Sequence, residues 1–400
     1  MVAIATDVGP MDLLLGVQGA FLWAFQWVLP FLIVLSVVVV IHELGHFWVA
    51  RWFGVKIDSF SVGFGREIAR VHDKHGTKWR LAWLPLGGYV KFYGDMGPAS
   101  TPDAEALAHL ERDGVDKDAV FHFKPLYQRA LIVAAGPIAN FILAIFIFAG
   151  VFMFAGELQA PARIDGVNEG GAGAEAGFAV GDLIVEIEGR RVVSFTDLQR
   201  VVNFNAGIPL NFVVEREGAL VELVATPREQ EIEDRFGNIH KLGILGLDGP
   251  TYDEFVIVRH GPVVAMGKGV VQTYDIVTQT FVYLGRVITG RQDADQLGGP
   301  LRIAQISGQV ASIDAIALIQ LIGILSVSIG LINLFPIPVL DGGHLVFYGY
   351  EAVAGKPLGE GAQEVGFRIG LVLVLALMIF ATWNDLVHLR VFEFLEGMFS

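Results

Sequence analysis

Four long apolar runs constrain the fold of this chain more than any other feature of its sequence. They cover residues 21–41, 130–155, 315–335 and 365–383. A transmembrane helix takes roughly 20 apolar residues, so each run predicts one membrane span. Apolar residues make up 53% of the chain and charged residues only 18%, which is more apolar than a soluble domain. We therefore expect a polytopic α-helical membrane protein with about four transmembrane helices.

The placement of Lys and Arg predicts how these helices cross the membrane. None precedes Arg51, several lie between the first and second runs, and only Arg163 lies in the twenty residues after the second run. Cytoplasmic loops are enriched in Lys and Arg, so segment 51–129 is predicted to be cytoplasmic. The N-terminus, segment 157–313 and, after an even number of spans, the C-terminus are predicted to lie outside the cytoplasm.

The segments between the apolar runs differ in pattern. Residues 56–95 read as strands and tight turns, with breaks at Pro85 and Gly87-Gly88, and predict a membrane-associated β-hairpin or sheet region. The polar stretch 94–120 is predicted to be exposed. Within 158–250, one strand pair turns at Gly189-Arg190 and a hairpin turns at Glu217-Gly218, the texture of an αβ domain.

Residues 262–289 have helical periodicity with few charges, which indicates a helix lying against the membrane surface. The predicted divisions are an N-terminal membrane core, an αβ domain, an extracytoplasmic amphipathic helix with a connector, and a C-terminal membrane core. Their bounds are 1–155, 158–250, 251–313 and 314–400.

The end of the first apolar run carries the motif HELGH. On a helix His42 and His46 are four residues apart, so both imidazoles project from one face and can bind one metal ion, with Glu43 beside them. Ionisable groups at membrane depth are costly and mark functional sites. The motif therefore predicts a metal centre rather than a pair of structural histidines.

A catalytic zinc takes a third protein ligand and keeps an open position for water. The best candidate is Asp341 in "INLFPIPVLDGGH", where prolines interrupt a span and backbone can line a cavity. His344 is a rival ligand that the chemistry alone does not exclude. Zinc lowers the pKa of a bound water to about 7, and Glu43 would take the proton. The predicted reaction is metal-assisted hydrolysis, most simply of a peptide bond.

Further polar and glycine residues have two interpretations each. Asn333 makes either an interhelical hydrogen bond or a substrate contact, and Asn140 is favoured as interhelical packing. Gly63 and Gly65, like Gly87-Gly88-Tyr89, form either plain turns or an edge strand near the metal. Such an edge would hold an extended substrate by main-chain hydrogen bonds.

The motifs HELGH, GFG, LPLGGYVKF, AGPIANF, GGPLRIA and NLFPIPVLDGGH occur in this order along nearly the whole chain. In this the chain resembles bacterial site-two-type intramembrane zinc metalloproteases, most closely the regulator-of-sigma protease branch. The resemblance implies one Zn²⁺ per chain held by His42, His46 and Asp341, with Glu43 as general base and Asn333 at the substrate. It favours Asp341 over His344 as the third ligand.

The resemblance also implies that 158–230 is an extracytoplasmic PDZ-like domain, either docking substrates or excluding bulky ones, with exclusion favoured. Where relatives can carry a second asparagine, this chain has Ser328. The implied location is the bacterial cytoplasmic (inner) membrane, with the active site toward the cytoplasm. The implied partners are the lipid bilayer, single-span membrane substrates such as trimmed anti-sigma factors, and an upstream site-one-type protease.

Other functional classes fit the sequence less well. A net charge of −14 argues against nucleic acid as a partner. A catalytically inactive PDZ-bearing membrane scaffold is the main alternative, but it has no use for an intact set of four metal-site residues. A metal transporter would call for more polar residues in the other spans.

Overall fold

A computed structural model describes residues 10–94, 116–233, 239–251, 254–290 and 298–388. Most of the polar stretch 94–120 therefore lies outside the described residues. The second helix continues into one π-helical turn, Val151–Ala155. The helices are α1 (Pro10–Trp52), α2 (Leu126–Gly150), α3 (Ala172–Ala176), α4 (Phe195–Asn203), α5 (Pro262–Ile288), α6 (Pro300–Ile313), α7 (Ala315–Asn333), α8 (Asp341–Ala354) and α9 (Glu360–His388).

The strands fall into one small sheet that follows α1 and several that follow α2. They are β1 (Ile57–His72), β2 (Lys78–Phe92), β3 (Glu157–Gln159), β4 (Gly166–Val167), β5 (Leu183–Ile187), β6 (Arg190–Arg191), β7 (Leu210–Arg216), β8 (Ala219–Ala225), β9 (Arg228–Glu233), β10 (Ile239–Ile244), β11 (Leu247–Asp248) and β12 (Val256–Val258).

Four helices in the described ranges are long and apolar enough to cross a membrane, which confirms the predicted number of spans. Their bounds are Phe25–Trp52, Leu126–Ala155, Ala315–Asn333 and Gly361–Val387. The first span runs without interruption through the HELGH motif, so the motif is helical as predicted.

Residues 1–149 and 266–400 form one compact unit, and residues 150–265 form a second. In the first unit, α1 packs against α6, α7 and both β1 and β2. The segment predicted as a connector thus contains a helix, α6. The carboxylate of Asp385 on α9 accepts hydrogen bonds from the main-chain N–H groups of Gly299, Leu301 and Arg302, and it thereby caps the N-terminus of α6.

The hairpin of β1 and β2 confirms the predicted β region, but its form differs from two strands broken at Pro85 and Gly87-Gly88. Residues Ser59–Val62 pair on one side with Gly88–Lys91 and on the other with Lys78–Leu81. Both long strands therefore bend back on themselves, and the glycines and Pro85 lie at the bends rather than at strand ends. Ser36 on α1 donates a hydrogen bond to the Pro85 carbonyl oxygen at 3.1 Å and ties this bend to the helix.

An apolar core fixes the hairpin to the ends of α1 and α2. It contains Phe47 and Ala50 of α1, Phe60 of β1, Val90 of β2 and Ile132 of α2, all buried. Edge-to-face contact between the rings of Phe47 and Phe60, with centroids 5.5 Å apart, locks the helix to the strand. Because this core lies directly beside His46, it holds the hairpin against the HELGH helix.

The second unit is an αβ structure around a four-stranded sheet with the order β6-β5-β7-β8. The predicted hairpin around Glu217-Gly218 is confirmed as β7 and β8. The glycine-rich run "EGGAGAEAG" contains the short helix α3. Ser194 and Asp197 form a capping box that starts α4.

Candidate metal centre

The histidines of the centre are positioned by a close crossing of α1 and α2. A Cβ atom on Gly45 would lie 2.2 Å from the carbonyl oxygen of Ala135, and one on Gly136 would lie 2.3 Å from His46 Nε2. Real Cβ atoms do not approach so closely, so only glycine fits either position. Neither glycine was predicted from the sequence to belong to the site. Both lie within apolar spans, where small residues are typical of close contacts between helices, and this could have indicated their role.

Main-chain and side-chain groups of α2 meet the outer nitrogens of the two imidazoles. His46 Nδ1 lies 2.9 Å from the Ile132 carbonyl oxygen, which can only accept, so Nδ1 carries the proton and Nε2 keeps its lone pair. Asn140 Nδ2 lies 3.3 Å from His42 Nδ1. Both Nε2 atoms face the same space, where they lie 3.2 Å apart.

The third group enters from the first residue of α8. Asp341 Oδ2 lies 3.1 Å from His42 Nε2 and 3.5 Å from His46 Nε2. Close packing sets its place: Cβ atoms on Gly342 and Gly343 would lie 2.2 Å from the Phe335 carbonyl oxygen and 2.5 Å from that of Ile337. Val339, two residues before, has φ 141°, a strained backbone for a β-branched residue.

This arrangement fits a metal ion. Asp341 Oδ2 is buried and receives no hydrogen bond within the described part of the chain, although two imidazole nitrogens face it. The three separations, 3.1, 3.2 and 3.5 Å, bracket the edge of a tetrahedron around a zinc ion. That edge is about 3.3 Å for ligands about 2.0–2.1 Å from the metal. Two imidazoles and one carboxylate also leave a fourth position open.

A cavity of about 220 Å³ opens onto the three groups. Its lining includes Glu43, Asn333 and His344. His344 therefore lies at the same cavity, but the side chains whose ligand atoms converge are those of His42, His46 and Asp341. Asn333 Nδ2 donates to the Ile329 carbonyl oxygen at 3.0 Å, and the Ser328 hydroxyl donates to that of Ile324 at 3.1 Å. Only the first of these two side chains lines the cavity.

The strand β2 passes directly beside Glu43. A Cβ atom on Gly88 would lie 3.4 Å from Glu43 Cγ, and the main-chain N–H of Val90 interacts with the Glu43 carboxylate. Val90 and Phe92 line the cavity, whereas Gly63 and Gly65 do not. Both of those glycines have φ 88°, and a Cβ on Gly63 would lie 2.7 Å from the Leu84 carbonyl oxygen. The bend in β1 alone thus accounts for glycine at position 63.

Two histidines and an adjacent glutamate on a helix long enough to span a membrane, joined by an aspartate from the start of the shorter helix α8, define a membrane metallopeptidase. Comparison with known proteins gives the particular family. The sequence profile of Peptidase family M50 matches residues 30–377, so the chain belongs to that family. It is a zinc metalloprotease of the site-two type and a polytopic membrane protein.

Curated relatives agree over nearly their whole length. "Putative zinc metalloprotease Atu1380" of Agrobacterium fabrum is 48% identical over 361 residues, covering 90% of this chain and 95% of the relative. A protein of the same designation from Brucella suis is 45% identical over 360 residues, 90% and 94% of the two chains. "Metalloprotease MmpA" of Caulobacter vibrioides is 44% identical over 389 residues, 92% and 97% of the two chains.

Proposed function

We propose that the protein is an intramembrane endopeptidase whose zinc ion is held by His42, His46 and Asp341. The observation that carries this proposal is the convergence of one oxygen and two nitrogens, all within 4.8 Å, at the end of an apolar span. When bound, zinc supplies the Lewis acidity that makes water a nucleophile near neutral pH. The cavity that these three side chains line would give water access to the ion that they would hold.

Glu43 is proposed as the general base. Its side chain lines the cavity, and it follows His42 directly on α1. In this role it takes a proton from the attacking water and delivers it to the leaving amide nitrogen. Asn333, whose Nδ2 is already bound to its own helix, keeps Oδ1 as an acceptor for a substrate N–H.

The bent hairpin is proposed to hold the substrate in an extended form. Residues 88–92 form the last strand segment on the cavity side, and no described strand pairs with their outer edge. A substrate helix that unwinds near the metal could add to this edge through main-chain hydrogen bonds. Gly63 and Gly65 would serve the substrate by bending β1 so that this edge reaches the site.

The position of the centre limits what can reach it. A site walled by membrane-spanning helices admits a membrane-embedded segment more readily than a folded domain. We therefore assign single-span membrane proteins as substrates. The motif resemblance favours anti-sigma factors already trimmed by a site-one-type protease.

We place the protein in the bacterial cytoplasmic membrane, with segment 51–129 and the active site toward the cytoplasm and the αβ unit outside. The charge asymmetry of the loops supports this orientation. The chain has no cysteine, so single cysteines can report topology. Lys74→Cys, at an exposed position of the hairpin, is expected to react only after the cytoplasmic side is opened, and Val180→Cys from outside intact cells. Reversed labelling would refute the orientation.

We interpret residues 158–230 as a PDZ-like domain that excludes substrates still carrying a bulky outer domain. Support comes from its small antiparallel sheet with flanking helices and from the need for prior trimming that the resemblance implies. Deleting residues 160–228 with a short linker should make untrimmed substrate cleavable and leave trimmed substrate cut as before. Slower cutting of trimmed substrate, with untrimmed substrate still spared, would favour docking.

The decisive test of the catalytic assignment is Glu43→Gln in purified, reconstituted protein. Cleavage of a tagged protein with one transmembrane helix is expected to fall by about 100- to 10,000-fold, because the base is lost. Zinc measured by elemental analysis should remain at one ion per chain, since no ligand changes. Substantial cleavage by this variant would remove Glu43 from the mechanism.

A further inference from the structure

The side-chain amide of Asn140 contacts the Nδ1 edge of the His42 ring, which points away from the proposed metal position. Asn140 is completely buried in α2, and its Nδ2 is 3.3 Å from His42 Nδ1. Its Oδ1 is buried and has no hydrogen-bond partner among the described residues. A fully buried amide oxygen without a partner costs free energy, so its retention calls for an explanation.

Interhelical packing does not supply that explanation. The hydrogen bond that joins α7 to α2 at this point is made by the Ser326 hydroxyl, which donates to the main-chain carbonyl oxygen of Asn140 at 2.8 Å. Gly330 of α7 also allows close approach, since a Cβ there would lie 3.2 Å from Asn140 Cβ. These contacts use the backbone and Cβ of Asn140. The amide group contributes to neither of them.

The chemistry of a histidine ligand does supply an explanation. To bind a metal through Nε2, His42 must carry its proton on Nδ1, and that N–H then looks for an acceptor. An amide nitrogen facing Nδ1 suits only the opposite tautomer. Turning the amide by 180° brings Oδ1 to the imidazole, and Oδ1 gives up no hydrogen bond in turning.

We infer that Asn140 is a positioning residue for the metal centre, accepting the Nδ1–H bond of His42 through Oδ1 and so holding His42 in its metal-binding tautomer. This inference rests on the proposed ligand set. It makes the two histidines parallel cases: the main-chain carbonyl of Ile132 fixes the tautomer of His46, and the side-chain carbonyl of Asn140 fixes that of His42.

Near-isosteric variants separate this role from packing. Asn140→Leu keeps the shape but removes the acceptor, and zinc affinity is expected to fall by about 10- to 100-fold, as for other partners of metal-bound histidines. Asn140→Asp keeps an acceptor of the same size, and zinc should bind as tightly as in the wild type or more tightly. Ser326→Ala removes the α7–α2 hydrogen bond but leaves the amide, and zinc affinity should stay within about twofold.

The measurement is zinc affinity of the intact, detergent-purified protein by competition with a chromophoric chelator, independent of catalysis. Visible spectra of the Co²⁺-substituted proteins give a second readout, because loss of His42 orientation changes the ligand field. In Asn140→Leu the spectrum should shift, and in Asn140→Asp it should match the wild type. Wild-type zinc affinity in Asn140→Leu, or a tenfold loss in Asn140→Asp, would overturn the inference even if one of the two variants folds poorly.

A His42→Ala variant separates this inference from the proposed function. If that variant binds zinc as the wild type does, the ligand set is wrong and the role of Asn140 falls with it. If zinc binding depends on His42 but Asn140→Leu and Ser326→Ala both bind zinc as the wild type does, only the positioning role is refuted.

Discussion

Two aspartates in different units of this protein each have a buried carboxylate oxygen, but their surroundings differ. Asp182 in the αβ unit accepts two hydrogen bonds from Arg216, both at 2.7 Å, and a third from the Ala179 N–H at 2.9 Å. Asp341 in the membrane unit has a buried oxygen that receives no hydrogen bond from the described residues. The first carboxylate is fully paired by hydrogen-bond donors of its own unit, whereas the second faces two imidazole nitrogens at the spacing of metal ligands.

A structural carboxylate differs from a functional one in whether donors of the protein satisfy its oxygens. A buried carboxylate that is matched by a guanidinium stabilises its own domain and has nothing left to offer a ligand. A carboxylate whose buried oxygen faces two imidazole nitrogens at about the edge length of a tetrahedron instead fits the position of a metal ligand. Removing either charge should therefore damage a different property of the protein.

The largest expected effect is that of Asp341→Asn on zinc. An amide is a poor zinc ligand, so zinc affinity should fall by more than about 100-fold, beyond the loss expected for a partner outside the ligand set. Cleavage should fall with it and recover only partly in excess zinc. Asp182→Asn serves as the matched control and should keep one zinc per chain by elemental analysis. Equal zinc content in both variants would contradict the prediction that Asp341, unlike Asp182, is needed for zinc binding.

A second effect concerns the space around the histidines. Gly136→Ala puts a methyl group 2.3 Å from the His46 Nε2 position, so zinc affinity should fall by about 10- to 100-fold. Gly150→Ala is the matched control, because it adds the same methyl group to the same helix with no atom within 4 Å. Zinc titration of both variants checks the prediction. Similar affinities for the two would show that α2 can move away from the centre.

The sequence predicted much of the membrane unit because its signals are local or chemically rare. Apolar length gave the four spans, and helical spacing placed His42 and His46 on one face. The pairing with Asp341 joins residues about 300 positions apart, and the sequence supplied it only as a ligand type near interrupted apolar backbone and through family resemblance. His344 could not be excluded by chemistry, since it does line the same cavity.

The features that the sequence did not predict depend on contacts between distant segments. Gly136 and Asn140 were visible as small and polar residues of a span, but their contacts with His46 and His42 follow from how α1 and α2 cross. The double pairing of Ser59–Val62 likewise requires two bends in different strands. Local propensity predicts a turn at each bend, but it does not predict which strand segments the bends bring into contact.

A third effect tests the paired aspartate. Burial by itself raises the pKa of Asp182, but hydrogen bonds from Arg216 and the Ala179 N–H outweigh it and hold the pKa below its usual value. Asp182→Asn should therefore destabilise the αβ unit by about 2 kcal/mol at pH 7. Hydrogen exchange of residues 150–265 in the intact protein measures this loss.

The pH dependence of that loss has a defined sign. Because the folded pKa is depressed, the stabilisation is complete above the unfolded pKa of about 3.9 and disappears as the pH falls through the lower folded value. The difference between Asp182→Asn and wild type should thus shrink only in acid below about pH 4. Glu175→Gln, which breaks a pair with Arg228 whose side chains are both more than half exposed, should cost less than about 0.5 kcal/mol. A loss for Asp182→Asn no larger than this would contradict the assignment.

The smallest expected effect lies at the hairpin, where a Cβ atom on Gly63 would meet a neighbouring atom closely and one on Gly65 would not. Gly63 and Gly65 share φ 88°, which costs an L-residue about 1–2 kcal/mol, but only Gly63 has a carbonyl oxygen, that of Leu84, 2.7 Å from its Cβ position. If the bend carries the 88–92 edge to the substrate, Gly63→Ala should lower kcat/KM by about tenfold, mainly through KM, the equivalent of about 1.4 kcal/mol. Gly65→Ala should lower it by less than about threefold.

Zinc content should stay at one ion per chain in both variants, because neither residue lines the cavity. Unchanged kinetics in Gly63→Ala would reduce the bend to a local feature of the hairpin, and a loss of zinc would instead show that the hairpin supports the metal centre itself.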